Sequence, residues 1–290
     1  MIRIATRGSA LALTQAGMVA EMLGGAELVE ASSDGEPGDK SRFVHGVERA
    51  VMAGEAEIGV HSAKDLPGEM PEELEIAAVP LREDPADAWI GAGSSLEDAP
   101  EGARVGTASL RRRAQLLAAR PDLRVEELHG NVDTRLHKLA EGELDAIVLA
   151  AAGLRRLGRE SEIGFRIPVD VMVPAAGQGA LALQVRAGDA ASAEVAAAAL
   201  DFGAARELTA ERAAVALLEA TCATPIGVHA RVEGEGLEVE AFVGLPDGSE
   251  WLRDRVEGVA TDPVAAGTLL AERLLSAGAR DILTRAEAMA

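Results

Sequence analysis

Three short segments each set an arginine beside the start of a helical pattern: Thr6-Arg7-Gly8-Ser9, Thr107-Ala108-Ser109-Leu110-Arg111-Arg112 and Gly130-Asn131-Val132-Asp133-Thr134-Arg135. Ser9, Ser109 and Asn131 are residue types that cap helix N-termini through a side-chain oxygen. The first turn of a helix offers free N–H groups and a partial positive charge to an anion. An arginine in or beside that turn adds two parallel donors matched to a carboxylate or phosphate. Any one junction is weak, because a run such as Arg111-Arg112-Arg113 is commonly a solvated helix face. Three of them in a chain of formal net charge −20 predict a cleft for a ligand with several anionic groups.

Two further segments carry reactive groups. In His61-Ser62-Ala63-Lys64-Asp65-Leu66-Pro67 a carboxylate stands beside a lysine on a turn directly after a strand. Asp65 there suits a general acid or base, or a stabiliser of developing positive charge; the plainer alternative is a salt-bridged turn residue. Cys222 sits in Leu218-Glu219-Ala220-Thr221-Cys222-Ala223-Thr224-Pro225-Ile226-Gly227. A lone cysteine is either a small buried hydrophobe or a nucleophile and attachment point, and no histidine lies near in sequence to activate this one.

Composition excludes several function classes. With 48 acidic and 28 basic residues the chain is unsuited to neutralising phosphates, and 2% aromatics with no Tyr leave no platform for stacking bases, so nucleic acid is not an expected partner. A single cysteine rules out an intramolecular disulfide, and the five histidines show no ligand spacing, so no metal is expected. No apolar run reaches about 18 residues and no leader pattern opens the chain, which predicts a cytoplasmic protein without a membrane span. Only Lys40, Lys64 and Lys138 are lysines. Excess acid with little lysine predicts a salt-adapted cytoplasm, and a GC-rich genome favouring Ala, Gly and Arg is compatible with it.

These groups need elements to hold them. Short β-branched runs at 2–5, 57–61, 104–106, 123–128 and 145–150 precede or follow helical patterns at 10–23, 44–52, 110–119, 132–141 and 153–158. Strands alternating with helices predict a mostly parallel sheet. Pro/Gly-punctuated stretches at 80–85 and 173–179 read as two crossovers, the second followed by an apolar run at 180–185. The tail reads as a helix at 209–220, three close strands at 228–233, 237–243 and 251–256, and a final helix at 263–275, an α+β unit with an antiparallel sheet. The expected fold is α/β, with two similar α/β domains of the two-lobed binding-protein type plus a small α+β C-terminal domain. The expected boundaries are 1–82 with 176–200, then 83–175, then 201–290.

Taken together, the segments resemble the hydroxymethylbilane synthase (porphobilinogen deaminase) family. The resemblance rests on Arg3-Ile4-Ala5-Thr6-Arg7-Gly8-Ser9, on the His61–Pro67 and Gly106–Arg112 segments, and on Gly130-Asn131 with Thr134-Arg135. It continues through Ala151-Ala152-Gly153-Leu154-Arg155-Arg156-Leu157-Gly158, Pro174-Ala175-Ala176-Gly177-Gln178-Gly179-Ala180 and the Cys222 loop. It implies an enzyme that joins four porphobilinogen molecules head to tail with loss of ammonia, on a dipyrromethane cofactor linked by a thioether to Cys222. Porphobilinogen carries two carboxylates, so cofactor and product chain would bring many anionic groups to the arginines. The resemblance implies Asp65 as the catalytic carboxylate. Lys64, Ser109, Arg111, Arg112, His129, Gly130 and Arg135 would bind the cofactor. Arg7, Ser9, Arg156 and Gln178 would bind substrate, while Arg113 and Arg155 would face solvent. A monomer is expected.

Two departures accompany the resemblance. Where the family usually has Leu-Arg-Gly-Asn, this chain has Leu128-His129-Gly130-Asn131. The family's mobile loop over the cleft corresponds to a short acidic segment at 34–42, with only Lys40 and Arg42 as cations. The rival expectation is a two-lobed anion-binding protein without catalysis, or a member of the family that has lost activity through these departures.

Overall fold

The computed structural model describes residues 1–32, 42–220 and 224–289. The chain begins with β1 (Arg3–Thr6), α1 (Ala10–Met22), β2 (Glu27–Glu30), α2 (Arg42–Met52) and β3 (Ile58–Ser62). A short 3-10 turn over Ala63–Asp65 leads to β4 (Leu74–Ala78). Residues 79–86 carry the chain into a second lobe: β5 (Asp87–Gly91), β6 (Arg104–Gly106), α3 (Leu110–Ala119), β7 (Arg124–Glu126), α4 (Val132–Ala140), β8 (Ala146–Ala150), α5 (Ala151–Arg156) and β9 (Phe165–Ile167). Residues 168–180 return it to β10 (Leu181–Arg186) and α6 (Ala190–Ala196), which complete the first lobe.

The two lobes repeat one topology. Their sheets run β2-β1-β3-β10-β4 and β7-β6-β8-β5-β9. In the first, β1 is parallel to β2 and β3, while β10 is antiparallel to β3 and β4. In the second, β6 is parallel to β7 and β8, while β5 is antiparallel to β8 and β9. Each sheet is thus mixed where a mostly parallel one was expected. The odd strand in each lobe is the one entered from a crossover, and it lies inside the sheet, β10 between β3 and β4 and β5 between β8 and β9.

Burial on both faces explains the apolar strand runs. Ile4, Ile58 and Leu183 are buried in the first sheet, and Ile147 and Val148 in the second. With few aromatics available, Trp89 fills the second core, stacked on Phe165 with ring centroids 5.6 Å apart.

The C-terminal unit comprises α7 (Phe202–Leu217), β11 (Ile226–Glu233), β12 (Gly236–Gly244), β13 (Trp251–Val259), α8 (Pro263–Ser276) and α9 (Ala279–Glu287). Its three strands form an antiparallel sheet in chain order, and Val228, Val239, Leu270 and Leu274 fill the core between sheet and helices. Helix α7 starts earlier than expected, because Asp201 caps it by accepting from the Ala204 amide at 2.8 Å. Helix α9 was not anticipated.

One buried carboxylate ties these parts together. Glu211 on α7 is fully buried and accepts from Arg82 Nη1 at 2.7 Å, in the first crossover. It also accepts from the Gly177 amide at 2.6 Å, in the second crossover, and from the Ala230 amide at 2.8 Å, on β11. Burial opposes its ionisation, but the Arg82 charge prevails, helped by His229 with its Nδ1 3.4 Å away, and the pKa is held below the usual value. The architecture is α/β: two similar lobes, two crossovers and a small α+β unit.

Candidate active site

In an open α/β sheet, ligands bind outside the carboxyl ends of the parallel strands, where helix N-termini gather. That edge carries nearly every residue singled out above. Arg7 and Ser9 follow β1, Lys64 and Asp65 follow β3, and Ser109, Arg111 and Arg112 follow β6. His129, Gly130 and Arg135 follow β7, and Arg156 ends α5 after β8. The three expected caps are formed. Ser9 accepts from the Ala12 amide at 3.3 Å, Ser109 from the Arg112 amide at 3.5 Å, and Asn131 from the Thr134 amide at 2.8 Å.

The Arg111–Arg112 pair is built on a residue that sequence reading passed over. Asp87, fully buried at the start of β5, receives Arg111 Nη1 on Oδ2 at 2.8 Å and Arg112 Nε on Oδ1 at 2.9 Å. Arg111 Nη1 also donates to the Val173 carbonyl at 2.8 Å, and Arg112 Nη1 to the Val148 carbonyl at 2.9 Å. Gln178 donates to Asp87 Oδ1 at 3.0 Å and to the Pro85 carbonyl at 2.6 Å. This sets Gln178 with the arginine pair; sequence reading had placed it beside Arg7 and Ser9. Burial disfavours the Asp87 charge, yet the two guanidinium groups overcome it and hold the carboxyl well below its usual range. The only signal in the sequence was an acid at the head of an otherwise apolar strand, Asp87-Ala88-Trp89-Ile90.

On the first lobe, Asp65 Oδ2 lies 3.8 Å from Arg7 Nη1, with both side chains about a third exposed (35% and 30%). Half-buried Lys64 is pushed down to about 8, first by burial and then by the Arg112 charge, against the pull of Asp65 and Asp87. Lys64 therefore senses groups of both lobes. Gly177, at φ +71°, presses on this turn, and a Cβ there would stand 2.8 Å from the Lys64 amide nitrogen.

The remaining cations differ in their partners. Arg135 Nε donates to the Gly130 carbonyl at 2.8 Å, so Gly130 orients an arginine. Burial and the Arg112 charge push Arg135 down to about 10. Arg156 Nη2 donates to the Gly179 carbonyl at 2.7 Å, while its Nε is buried without a hydrogen-bond partner. Burial lowers the Arg156 pKa, with Glu83 opposing. His129 is largely exposed, its Nε2 2.7 Å from Glu127 Oε1.

Of the two residues expected to face solvent, Arg155 is exposed and Arg113 is not. Arg113 is half-buried with its Nε unpartnered among the described residues, on the same helix whose later residues Leu117 and Ala118 pack against the turn at Gly248. Arg155 bonds Glu83 of the first crossover at 2.9 Å and lies 3.2 Å from Glu160.

Cys222 and residues 34–41 lie outside the described residues, as does the side chain of Arg42, so the expectations about attachment and the shortened loop concern parts not described. The chain just beyond Cys222 is fixed: Val228 donates to the Pro174 carbonyl at 2.9 Å, and Gly227 packs on the Val173 carbonyl that also receives Arg111. The start of β11, at Gly227 and Val228, is thereby anchored beside the arginine pair.

A dipyrromethane bearing several carboxylates fits what these residues leave over. Arg156 offers an orphaned buried donor, and Arg135 is a partly buried cation whose pKa no carboxylate raises. A cavity of about 370 Å³ lies elsewhere, behind the hinge, lined by Arg82, Glu207 and His229. Among the described residues no cluster of His, Cys, Asp or Glu could hold a metal, and no helix is long and apolar enough to cross a membrane.

Fold and site define a two-lobed α/β protein whose cleft gathers guanidinium groups around a carboxylate-bearing turn. Residues 2–194 match the family model of the porphobilinogen deaminase dipyrromethane cofactor binding domain, and residues 205–276 match that of the porphobilinogen deaminase C-terminal domain. The chain belongs to the porphobilinogen deaminase family. It is 48% identical over 247 residues to the porphobilinogen deaminase of Thiobacillus denitrificans, covering 85% of this chain and 81% of that one. With the Roseiflexus castenholzii porphobilinogen deaminase the identity is 43% over 298 residues, covering 97% and 98%. Among solved structures, the L-cystine solute receptor of Neisseria gonorrhoeae overlaps 75% of this chain and 89% of its own, at 15% identity and a TM-score of 0.41, which has no bearing on function.

Proposed function

We propose that this enzyme is a hydroxymethylbilane synthase: it condenses four porphobilinogen molecules head to tail, releases ammonia at each step, and frees the linear tetrapyrrole by hydrolysis. The observation that carries the reading is a pair of partly buried cleft arginines without an acidic hydrogen-bond partner among the described residues: Arg156, whose buried Nε has no partner, and Arg135, which donates to a backbone carbonyl. A dipyrromethane, attached through a thioether to Cys222, supplies the pyrrole carbon on which the first substrate is added.

The chain's own residues then divide the work. Arg111, Arg112, Arg135 and Lys64 hold the cofactor's carboxylates, with Ser109 and Gly130 fixing the turns that carry them. Arg7, Ser9 and Arg156 hold the incoming porphobilinogen. Departure of ammonia would leave the substrate's methylene carbon electron-poor, and bond formation there would place positive charge at a pyrrole nitrogen. Asp65 offsets that charge and moves the proton lost when the ring regains aromaticity. His129 stands where the family pattern has arginine, and we assign it a weaker, charge-dependent hold on a cofactor carboxylate.

We take the domain limits as 1–82 with 176–200, 83–175 and 201–290; the sheet memberships and the position of Glu211 between crossovers support this division. We also read the protein as a monomer of a salt-adapted cytoplasm, supported by its net charge of −20. The test is the intact mass of protein made with precursor available. A mass one dipyrromethane above the sequence value, absent in Cys222→Ser, is expected. The bare sequence mass in the unaltered protein would instead favour a two-lobed binder without catalysis.

A further inference from the structure

We propose that Asp87 is a positioning residue: its buried carboxylate holds Arg111 and Arg112 so that their remaining N–H groups form a fixed pair facing a carboxylate of the dipyrromethane. The inference rests on the reading of the cleft given above.

Each guanidinium carries five N–H donors. Arg111 spends the two on Nη1 on Asp87 and the Val173 carbonyl, leaving Nε and Nη2. Arg112 directs Nε to Asp87 and Nη1 to the Val148 carbonyl, and its Nη2 lies 2.8 Å from Asp87 Oδ1. One edge of each arginine is therefore pinned to the protein. Among the described residues, Arg111 Nε and Nη2 carry no protein hydrogen bond, Arg112 keeps one N–H each on Nη1 and Nη2, and the side chains retain 4% and 8% exposure through which a ligand can meet them. Two guanidinium groups packed side by side would otherwise repel each other and swing apart. A carboxylate between them cancels that repulsion, and the rotamer freedom of both is lost before any ligand arrives.

Asp87 also joins the lobes. It opens β5 in the second lobe, and its third partner, Gln178, comes from the second crossover. The same carboxylate supports the charge of Lys64 at the end of β3, together with Asp65 and against Arg111 and Arg112. Position and charge make opposite predictions. As a charge, Asp87 subtracts from the attraction for an anionic ligand, so neutralising it should strengthen binding. As a positioning group, neutralising it should weaken binding even though the cleft becomes more positive.

The experiment uses the full chain freed of dipyrromethane, with porphobilinogen as the probe and covalent loading followed by intact mass. In Asp87→Asn the half-saturating porphobilinogen concentration for loading should rise at least tenfold. Asp87→Glu, which keeps the charge but moves it by one methylene, should fall between. The alkaline limb of loading, set by Lys64 at about 8, should move to lower pH in Asp87→Asn, a readout that a merely structural role would leave alone. Loading of Asp87→Asn at the same or lower concentration overturns the proposal. Should that variant fail to fold, Asp87→Glu decides: folded with weakened loading supports the positioning role, folded with unchanged loading overturns it. An unaltered protein that never gains mass defeats the reading of the cleft itself, and the positioning role with it.

Discussion

Replacing Glu211 by Gln tests the joint that connects the three units. The carboxylate is fully buried and serves two backbone amides, at 2.6 and 2.8 Å, as well as Arg82 at 2.7 Å. Glutamine keeps the shape but offers one acceptor oxygen where two were in use. Its NH2 group then faces an N–H donor, and the Arg82 guanidinium, 6% exposed, is left without its principal counter-charge. Breaking a buried pair from one side costs about 3–5 kcal/mol. For a chain of this size that lowers the melting temperature by roughly 10 °C. The assay is thermal and urea unfolding of Glu211→Gln, Arg82→Gln and the double variant, with a coupling energy on the order of 2–3 kcal/mol expected between them. The pH dependence has a defined sign. The folded-state pKa lies below the ordinary 4.5 of a glutamate, so the stabilisation is present above about pH 4.5 and is lost as pH falls through the folded value. Glu211→Gln and the unaltered protein should therefore converge in stability in acid. Single variants that each cost less than about 1 kcal/mol and add independently would refute the reasoning.

Three other outcomes follow from the same geometry. Lys64 is pushed down to about 8 in the folded state from its ordinary 10.5, so the folded state binds fewer protons between those pH values and the lysine costs stability below about pH 8. Lys64→Met should raise the melting temperature at pH 7 while weakening dipyrromethane loading, and the loss of loading above about pH 8 expected of the unaltered protein should vanish. Gly177→Ala adds a Cβ 2.8 Å from the Lys64 amide nitrogen at a left-handed backbone position; steady-state assays should show a fall in kcat of about tenfold or more, because a small misplacement at the reacting centre is costly. Asn131→Ala removes the cap of α4 and should cost about 1 kcal/mol in urea unfolding.

Local rules made part of this molecule legible. Ser9, Ser109 and Asn131 were recognised as caps because capping depends on residues three apart, and the helix limits at Leu110–Ala119 follow from it. The tail's three strands were legible because their alternation and turns are local. Sequence period carries nothing, however, about contacts between distant segments. Asp87 and Arg111 meet across 24 residues, and Arg82 and Glu211 across 129. These buried pairs decide which arginines are tethered, so the reading of Arg113 as solvent-facing fell short where that of Arg155, which is exposed, and those of the caps held. The antiparallel sense of β5 and β10 was hidden for the same reason. An apolar strand buried on both faces looks alike whichever way it runs.

Those two strands impose an order on the molecule as it emerges from the ribosome. Every strand of the second sheet lies between Asp87 and Ile167, so that lobe has all its pairing partners as soon as it is synthesised. The first sheet lacks its fourth strand until Leu181–Arg186 appears, and β4 pairs with nothing else. The N-terminal lobe is thus the later of the two to close. During that interval the β3 edge, which ends in the Lys64–Asp65 turn, is open to mispairing, the hazard expected of long-range strand contacts. An N-terminal fragment ending before β10 is accordingly an aggregation-prone species, while a fragment confined to the second lobe has a complete sheet.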